Sequence, residues 1–132
     1  MNVLMHNDQP LMTVTLMGGD MQAQGHAQLL VDVLDLGANV QAAADMARFR
    51  HSQISNELTL ESPLYDLVGA GLAALGHAVK PVNGEDVGGV QSIMFVPGAA
   101  EAHAAESGAA KRVNGYYRSG SDFRKDGAAA AW

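Results

Sequence analysis

The first part of the chain changes from an alternating to a helical hydrophobic pattern at a pair of glycines. Residues 11–17 alternate apolar and mostly hydroxyl-bearing side chains after the turn-forming run 7–10, which predicts a strand entered from a hairpin. The pair Gly18-Gly19 ends this strand. From 20 to 36 leucine and valine recur every three to four residues, so a helix is predicted to follow the glycines directly.

Two more helices are predicted from their N-terminal signals. Asn39 is placed to cap a short alanine-rich helix over 40–46, and Pro63 occupies the first turn of a helix that runs to 75. This last helix carries the cleanest apolar stripe in the chain, and we expect its face to lie on a sheet or another helix. The stripe consists of Leu64, Leu67, Val68, Leu72 and Leu75.

Shorter apolar runs predict the remaining strands. They lie at 58–60, 77–80, 90–96 and 112–117, with the last two expected to pair. Loops are predicted at 48–51 and 119–128, and residues 99–111 are predicted as a loop or a frayed helical turn. Strands that alternate with helices indicate an α/β (α+β) fold with helices mainly on one face of a sheet. The length of 132 residues suits a single domain over 1–132.

Composition and charge narrow the classes of partner. The net charge is −6 and only 5% of residues are aromatic, which argues against a nucleic-acid partner. No cysteine is present, so disulfides and thiolate chemistry are excluded. We find no signal peptide and no apolar run that would span a bilayer. The compartment stays open between cytoplasm and periplasm.

The glycine pair is the best candidate for chemistry. Two residues without Cβ, placed before a helix, let a ligand approach the backbone and leave amides free to stabilise negative charge. Asp20 lies next to them, where a carboxylate would cap the first turn. A tight strand-to-helix turn explains the glycines equally simply, and taken alone they favour that structural interpretation.

Other polar clusters are interpreted as structural. The five histidines are far apart and show no metal-binding spacing, so we expect neither a metal nor a cofactor. The basic run 48–51 is interpreted as a solvated helix C-terminus, with anion binding as the alternative. The methionines at 12, 17, 21, 46 and 94 lie in apolar contexts and are expected to fill the core.

Several short segments, spread in order along most of the chain, match those of one enzyme family. They are 17–22 (MGGDMQ) with 24–26 (QGH), 34–43 (LDLGANVQAA), 48–49 (RF), 58–61 (LTLE), 76–79 (GHAV), 88–94 (GGVQSIM) and 121–129 (SDFRKDGAA). Together they resemble the C-terminal part of the small subunit of gamma-glutamyltranspeptidases, members of the N-terminal nucleophile hydrolase superfamily. The resemblance implies part of a four-layer αββα sandwich.

The resemblance also gives the glycine pair a role. By position, Gly18 and Gly19 supply the backbone amides that bind the oxyanion of the tetrahedral intermediate. Asp20 stands where many members have serine, which makes it a candidate substrate contact. The resemblance implies that the complete enzyme transfers a gamma-glutamyl group from glutathione-like donors to water or an amino acid through an acyl-enzyme.

The family nucleophile is a threonine that begins the small subunit and acts through its own α-amine. The chain contains only Thr13, Thr15 and Thr59, all in predicted strands and none in the family's surroundings. We therefore expect a C-terminal portion that lacks the nucleophile segment, is inactive alone and needs the missing N-terminal part as its partner.

Two other functions stay open at this stage. A stand-alone module could bind an anion or amino acid at the glycine amides without reaction. A dimerisation scaffold could use the sheet face that half of a sandwich leaves exposed.

Overall fold

The computed structural model describes residues 2–98 and 114–130 as seven strands and three helices. The strands are β1 (Asn2–His6), β2 (Gln9–Met17), β3 (Phe49–Ser52), β4 (Glu57–Glu61), β5 (Ala78–Val82), β6 (Gly89–Pro97) and β7 (Gly115–Ser121). The helices are α1 (Met21–Leu30), α2 (Val40–Asp45) and α3 (Ser62–Ala74). A π-helical turn over Val31–Asp35 continues α1, and a 3₁₀ turn over Gly84–Val87 precedes β6.

Four antiparallel strands form the larger sheet, in the order β1-β2-β6-β7. The hairpin between β1 and β2 turns at Asn7 and Asp8, both at positive φ, as a two-residue hairpin loop requires. Strand β2 pairs with β6 so that Val14 lies opposite Ser92. The predicted pairing of the last two strands is confirmed, although β7 lies later in the chain than expected.

A smaller sheet has the order β3-β4-β5. Strands β3 and β4 are antiparallel, whereas β4 and β5 are parallel and are joined through α3. This is the βαβ connection that a parallel pair needs. The predicted α/β (α+β) fold class is therefore confirmed. The strands of the chain are divided between two sheets.

The hydrophobic core lies between α1, α2 and one face of the larger sheet. Alternate residues of β2 point into it, while their neighbours face the other side, as the period of a strand demands. The buried apolar set is Met12, Val14, Leu16, Met21, Leu29, Val33, Val40, Ala43, Ala44, Val87 and Val90. Asn39 caps α2 as predicted, because its side chain accepts hydrogen bonds from the amides of Gln41 and Ala42.

The apolar stripe of α3 is not covered as predicted. Leu67 is 80% exposed and Leu75 is 79% exposed, and within α3 only Gly69 is fully buried. The helix contacts β4 and β5 with part of its circumference. A hydrophobic period identifies the apolar side of a helix, but tertiary structure decides what lies against it.

Two predicted loops contain strand. Residues 49–52 form β3, and Ser119 to Ser121 complete β7. The charged composition of 48–51 hid the first strand, since edge strands commonly carry charged side chains. The loop predicted at 99–111 and the start of the strand predicted at 112 lie outside the described residues. No helix in the described ranges has the length and apolar character needed to cross a membrane.

Candidate functional site

A sharp turn at Gly18 and Gly19 connects β2 to α1. Their φ angles are +141° and +57°, a region that side chains with Cβ rarely adopt. The carbonyls of both glycines accept hydrogen bonds from the first turn of α1, from the amides of Met21 and Gln22, each at 3.0 Å. Among the described residues none accepts a hydrogen bond from the amide of Gly18 or Gly19. The turn thus has its acceptors occupied, and its two donors have no acceptor within residues 2–98 and 114–130.

An open cleft of about 570 Å³ adjoins this turn. It lies between the start of α1 and the beginning of the larger sheet, and most of its side chains are polar. Its lining consists of Asn2, Leu16, Gly19, Asp20, Gln22, Ala23 and His26. The volume is that of a small-molecule site.

Asp20 borders the cleft but does not cap the helix as predicted. It has helical dihedrals, φ −62° and ψ −20°, and its side chain accepts no hydrogen bond from the first turn. A capping side chain needs an extended backbone at that residue. The carboxylate is instead 96% exposed, with the guanidinium of Arg50 at 3.9 Å. It is therefore free to meet a ligand.

A second glycine supports the turn from behind. Gly88, with φ +78°, lies between the 3₁₀ turn and β6. A Cβ placed on Gly18 would be 3.1 Å from the Gly88 Cα and 3.3 Å from the Met21 Cβ. Both separations are tighter than ordinary van der Waals contact, so the two backbones approach as closely as glycine allows.

A buried ion pair holds the Gly88 segment. Arg48 is 3% exposed and Asp122 1% exposed, and their side chains meet at 2.5 Å. Arg48 also donates to the carbonyl of Gly88 at 3.3 Å and to that of Ala44 at 2.7 Å. Asp122 accepts from the Val90 amide at 3.0 Å. The interpretation of the Arg48 cluster as a solvated cap is therefore wrong for Arg48 itself, which caps α2 from inside the protein.

A second ion pair extends this network. Arg124 donates to both carboxylate oxygens of Glu61, each at 2.7 Å, and to Asp122 at 3.0 Å. Glu61 also accepts from the amide of Arg48 at 2.6 Å. Two positive and two negative side chains thus balance in the interior, which is the arrangement that makes buried charge tolerable.

The network shifts the pKa values of Asp122 and Arg124. Burial would raise the pKa of Asp122, but hydrogen bonds from the Arg124 amide, the Arg48 guanidinium and the Val90 amide outweigh burial and lower it below 3.8. Burial likewise opposes the charged form of Arg124, yet the hydrogen bonds to Glu61 and Asp122 raise its pKa. Both groups stay charged at neutral pH.

The remaining candidate residues are dispersed. The Thr15 hydroxyl donates to the carbonyl of Gln91, and the Thr59 hydroxyl donates to the carbonyl of Arg50. Within residues 2–98 and 114–130 no group of His, Asp and Glu is arranged to hold a metal ion. Met12 and Met21 fill the core as predicted, whereas Met17 is 54% exposed and Met46 38% exposed, because they lie at the ends of a strand and a helix.

Asp122, Arg124 and Glu61 were not predicted from the sequence as members of one cluster. Arg48 and Asp122 lie 74 residues apart in the chain and Glu61 and Arg124 lie 63 apart, so no local spacing connects them. Composition predicts a loop over 119–128, and only the match to the family singles out 121–129. The available signal was the spacing of Asp122 and Arg124, two residues apart within a run of four charged residues over 122–126.

Solved structures share this fold. A Helicobacter pylori gamma-glutamyltranspeptidase mutant is 20% identical with a TM-score of 0.76, covering 94% of this chain and 59% of that one. A Bacillus halodurans cephalosporin acylase is 30% identical with a TM-score of 0.81, and the match covers 98% of this chain and 22% of the acylase chain. The Bacillus anthracis transpeptidase CapD is 20% identical with a TM-score of 0.69, and the match covers 98% of this chain and 68% of the CapD chain. None of the curated proteins compared with the chain matches it significantly.

These structures define the class of the fold as that of the N-terminal nucleophile hydrolases. The family model described as gamma-glutamyltranspeptidase matches residues 2–132, and the chain belongs to that family. It spans about three fifths of the length of the Helicobacter pylori gamma-glutamyltranspeptidase chain.

Proposed function

We propose that this chain is the C-terminal portion of an enzyme that transfers or hydrolyses gamma-glutamyl groups. In this proposal Gly18 and Gly19 supply the oxyanion hole. The observation that carries it is the pair of amides at the turn before α1, which have no acceptor in the described part of the chain and lie beside a cleft in a member of this family. The family fold is shared with acylases as well, so the donor is part of the proposal.

The chemistry follows from where charge develops. When a hydroxyl oxygen attacks the gamma-carbonyl carbon, the electron pair of the C=O bond moves to oxygen and forms an oxyanion. Two backbone N–H groups fixed in place stabilise that charge without reorganisation. Collapse of the intermediate expels the amine and leaves an acyl-enzyme, which water or a second amine resolves. Gly18 and Gly19 serve both halves of the reaction.

The nucleophile comes from outside these residues in this proposal. Thr13 lies within β2, and the hydroxyls of Thr15 and Thr59 donate to backbone carbonyls, so none resembles a threonine with a free α-amine. The missing N-terminal part of the parent enzyme is thus the partner, and the chain alone should have no turnover. Asp20, exposed at the cleft, is the candidate contact for the ammonium end of the donor.

The test is hydrolysis of a gamma-glutamyl anilide by two proteins. The first is the complete protein, with a segment that begins with the nucleophilic threonine joined to these residues, and the second is the 132-residue chain alone. We expect turnover in the first and none in the second. Turnover by the chain alone would contradict the proposal, as would an inactive but fully processed complete protein.

A cephalosporin-type amide is the second candidate donor. It is favoured by the 30% identity to the Bacillus halodurans cephalosporin acylase, above the 20% to the Helicobacter pylori gamma-glutamyltranspeptidase. Comparing kcat/KM for the two amides in the complete protein decides between them. Cleavage of neither would favour a module that binds anions at the glycine amides, without cofactor, or a scaffold that dimerises through the exposed sheet face at Val3, Met17 and Ile93.

A further inference from the structure

The conformation of one peptide unit determines where the first oxyanion donor points. The carbonyl oxygen of Met17 and the amide N–H of Gly18 belong to the same planar peptide group. Any force that rotates the Met17 carbonyl therefore rotates the Gly18 N–H by the same angle. Whatever touches the Met17 oxygen controls the direction of that donor.

Gly88 is the residue whose side-chain position faces it. A Cβ placed on Gly88 would lie within 3.0 Å of the Met17 oxygen, a separation that real Cβ atoms essentially never show. It would also lie 2.9 Å from Cδ2 of Leu16, and φ +78° is itself unfavourable for a residue with Cβ. The Leu16 side chain can move, but the Met17 oxygen can yield only by turning its peptide plane.

The other side of Gly88 is fixed. Its carbonyl accepts from Arg48 at 3.3 Å, and two residues later the Val90 amide donates to Asp122 at 3.0 Å. Because Arg48 and Asp122 are buried and paired, the segment cannot retreat without separating charges in the interior. Steric pressure at Gly88 is consequently directed towards the turn.

We propose that Gly88 is a positioning residue for the oxyanion turn: its lack of a side chain, with Arg48 and Asp122 behind it, sets the direction of the Gly18 N–H. This inference rests on the proposed function, since it assumes that the Gly18 amide is an oxyanion donor. It assigns a role to the segment between the 3₁₀ turn and β6, which contributes no side chain to the cleft.

The experiment compares Gly88→Ala with two controls. Gly25→Ala introduces a clash in α1 with the flexible end of Leu16, so it disturbs packing without touching the peptide plane. Gly71→Ala adds a Cβ where nothing lies within 4 Å. The amide resonances of Gly18 and Gly19 are followed by NMR in the 132-residue chain. We expect the Gly18 resonance to move in Gly88→Ala more than in either control.

Kinetics of the complete protein give the second readout. Gly88→Ala should lower kcat by about tenfold or more with KM changed by about twofold or less, because the amide acts on the transition state. Gly71→Ala, which adds a Cβ in open space, should retain kcat. If Gly88→Ala does not fold, Arg48→Lys, which loses the bond to the Gly88 carbonyl, is expected to move the same resonance, because the Gly88 segment is then no longer held from behind.

An unmoved Gly18 resonance in a folded Gly88→Ala or Arg48→Lys chain would overturn the inference. So would equal shifts in Gly88→Ala and Gly25→Ala. A moved resonance together with an inactive complete wild-type protein would instead leave the positioning role standing and count against the proposed function. Failure of the positioning role and failure of the proposed function therefore give different results.

Discussion

Gln24 and His51 exchange two hydrogen bonds, as two paired strand residues would. The side-chain amide of Gln24 donates to the carbonyl of His51 at 2.8 Å, and the amide of His51 donates to Oε1 of Gln24 at 2.8 Å. One helical turn later Gln28 makes the same exchange with Phe49, at 2.8 and 3.0 Å. Helix α1 thus replaces a neighbouring strand along the edge of β3.

The spacing explains why two glutamines suffice. Residues four apart in a helix are separated by about 6 Å, and residues two apart in a strand by about 6.7 Å. Glutamine offers a donor and an acceptor on one planar group, as a peptide does. The edge of β3 is thereby protected from pairing with another chain, and the smaller sheet is fixed to the helix that begins at Gly18-Gly19.

Replacing both glutamines should destabilise the chain and expose the edge. The double variant Gln24→Ala, Gln28→Ala is expected to lose about 2–4 kcal/mol of unfolding free energy, since each change removes two hydrogen bonds. Urea unfolding measures the loss, and light scattering measures association. Gln22→Ala, exposed on the same helix, is the control and should unfold as the wild type does. An unchanged midpoint in the double variant would contradict the role given to the pair.

Removing Asp122 should be among the most damaging single changes. Asp122→Ala leaves Arg48 buried without its partner, which typically costs about 3–5 kcal/mol. We expect a large decrease in the urea midpoint. Asp66→Asn, exposed on α3, serves as the matched control. A loss below about 1 kcal/mol would show that the network contributes little to stability.

Stability should fall in acid because of the same residue. The folded pKa of Asp122 lies below 3.8, so below that value the unfolded chain takes up the proton first. The stabilisation is complete above pH 3.8 and is lost as pH falls through the folded pKa. The contribution of Asp32 to the pH dependence of stability has the opposite sign. Burial raises the pKa of Asp32 and outweighs the positive charge of Arg48, which lowers it.

The pH dependence is measured as unfolding free energy between about pH 2 and 7. Asp122→Asn should flatten the acid limb, whereas Asp32→Asn should remove a weak opposing slope just above pH 3.8. An acid limb as steep in Asp122→Asn as in the wild type would mean that another carboxylate is responsible.

The two glycines of the turn should respond differently to alanine. Gly19→Ala adds a Cβ where nothing lies within 4 Å, so its cost is the left-handed backbone alone, about 1 kcal/mol. Gly18→Ala must also displace Gly88 or Met21, and we expect a clearly greater loss of stability. Thermal unfolding of the two variants tests this. Equal losses would contradict the close approach of the two glycine segments.

Local signals predicted much of the fold. The hairpin turn at 7–10, the cap at Asn39 and the helix start at Pro63 depend on neighbouring residues only, and all three are present. The exposed stripe of α3 and the strand status of 49–52 were missed, because both depend on what packs against them. The pairing of Arg48 with Asp122 bridges 74 residues and left no periodic trace.

The candidate site likewise has a part that local sequence signals predict and a part that depends on tertiary structure. The glycine pair was found because a strand-to-helix junction without side chains is visible in sequence. The support that Gly88 gives to the turn was not predicted, since nothing in the sequence places the segment 88–89 beside 18–19. Only the ladder between β2 and β6, which pairs Met17 with Gly89, brings the two together.

The central claim is that the N–H groups of Gly18 and Gly19 stabilise the oxyanion, and replacing each amide by an ester tests it most directly. Substituting glycolic acid for Gly18 or Gly19 in the complete protein removes one N–H and keeps the backbone shape. We predict a decrease in kcat of about 10²–10³-fold for each ester, with little change in KM. A kcat equal to that of the all-amide protein in both esters would contradict the claim.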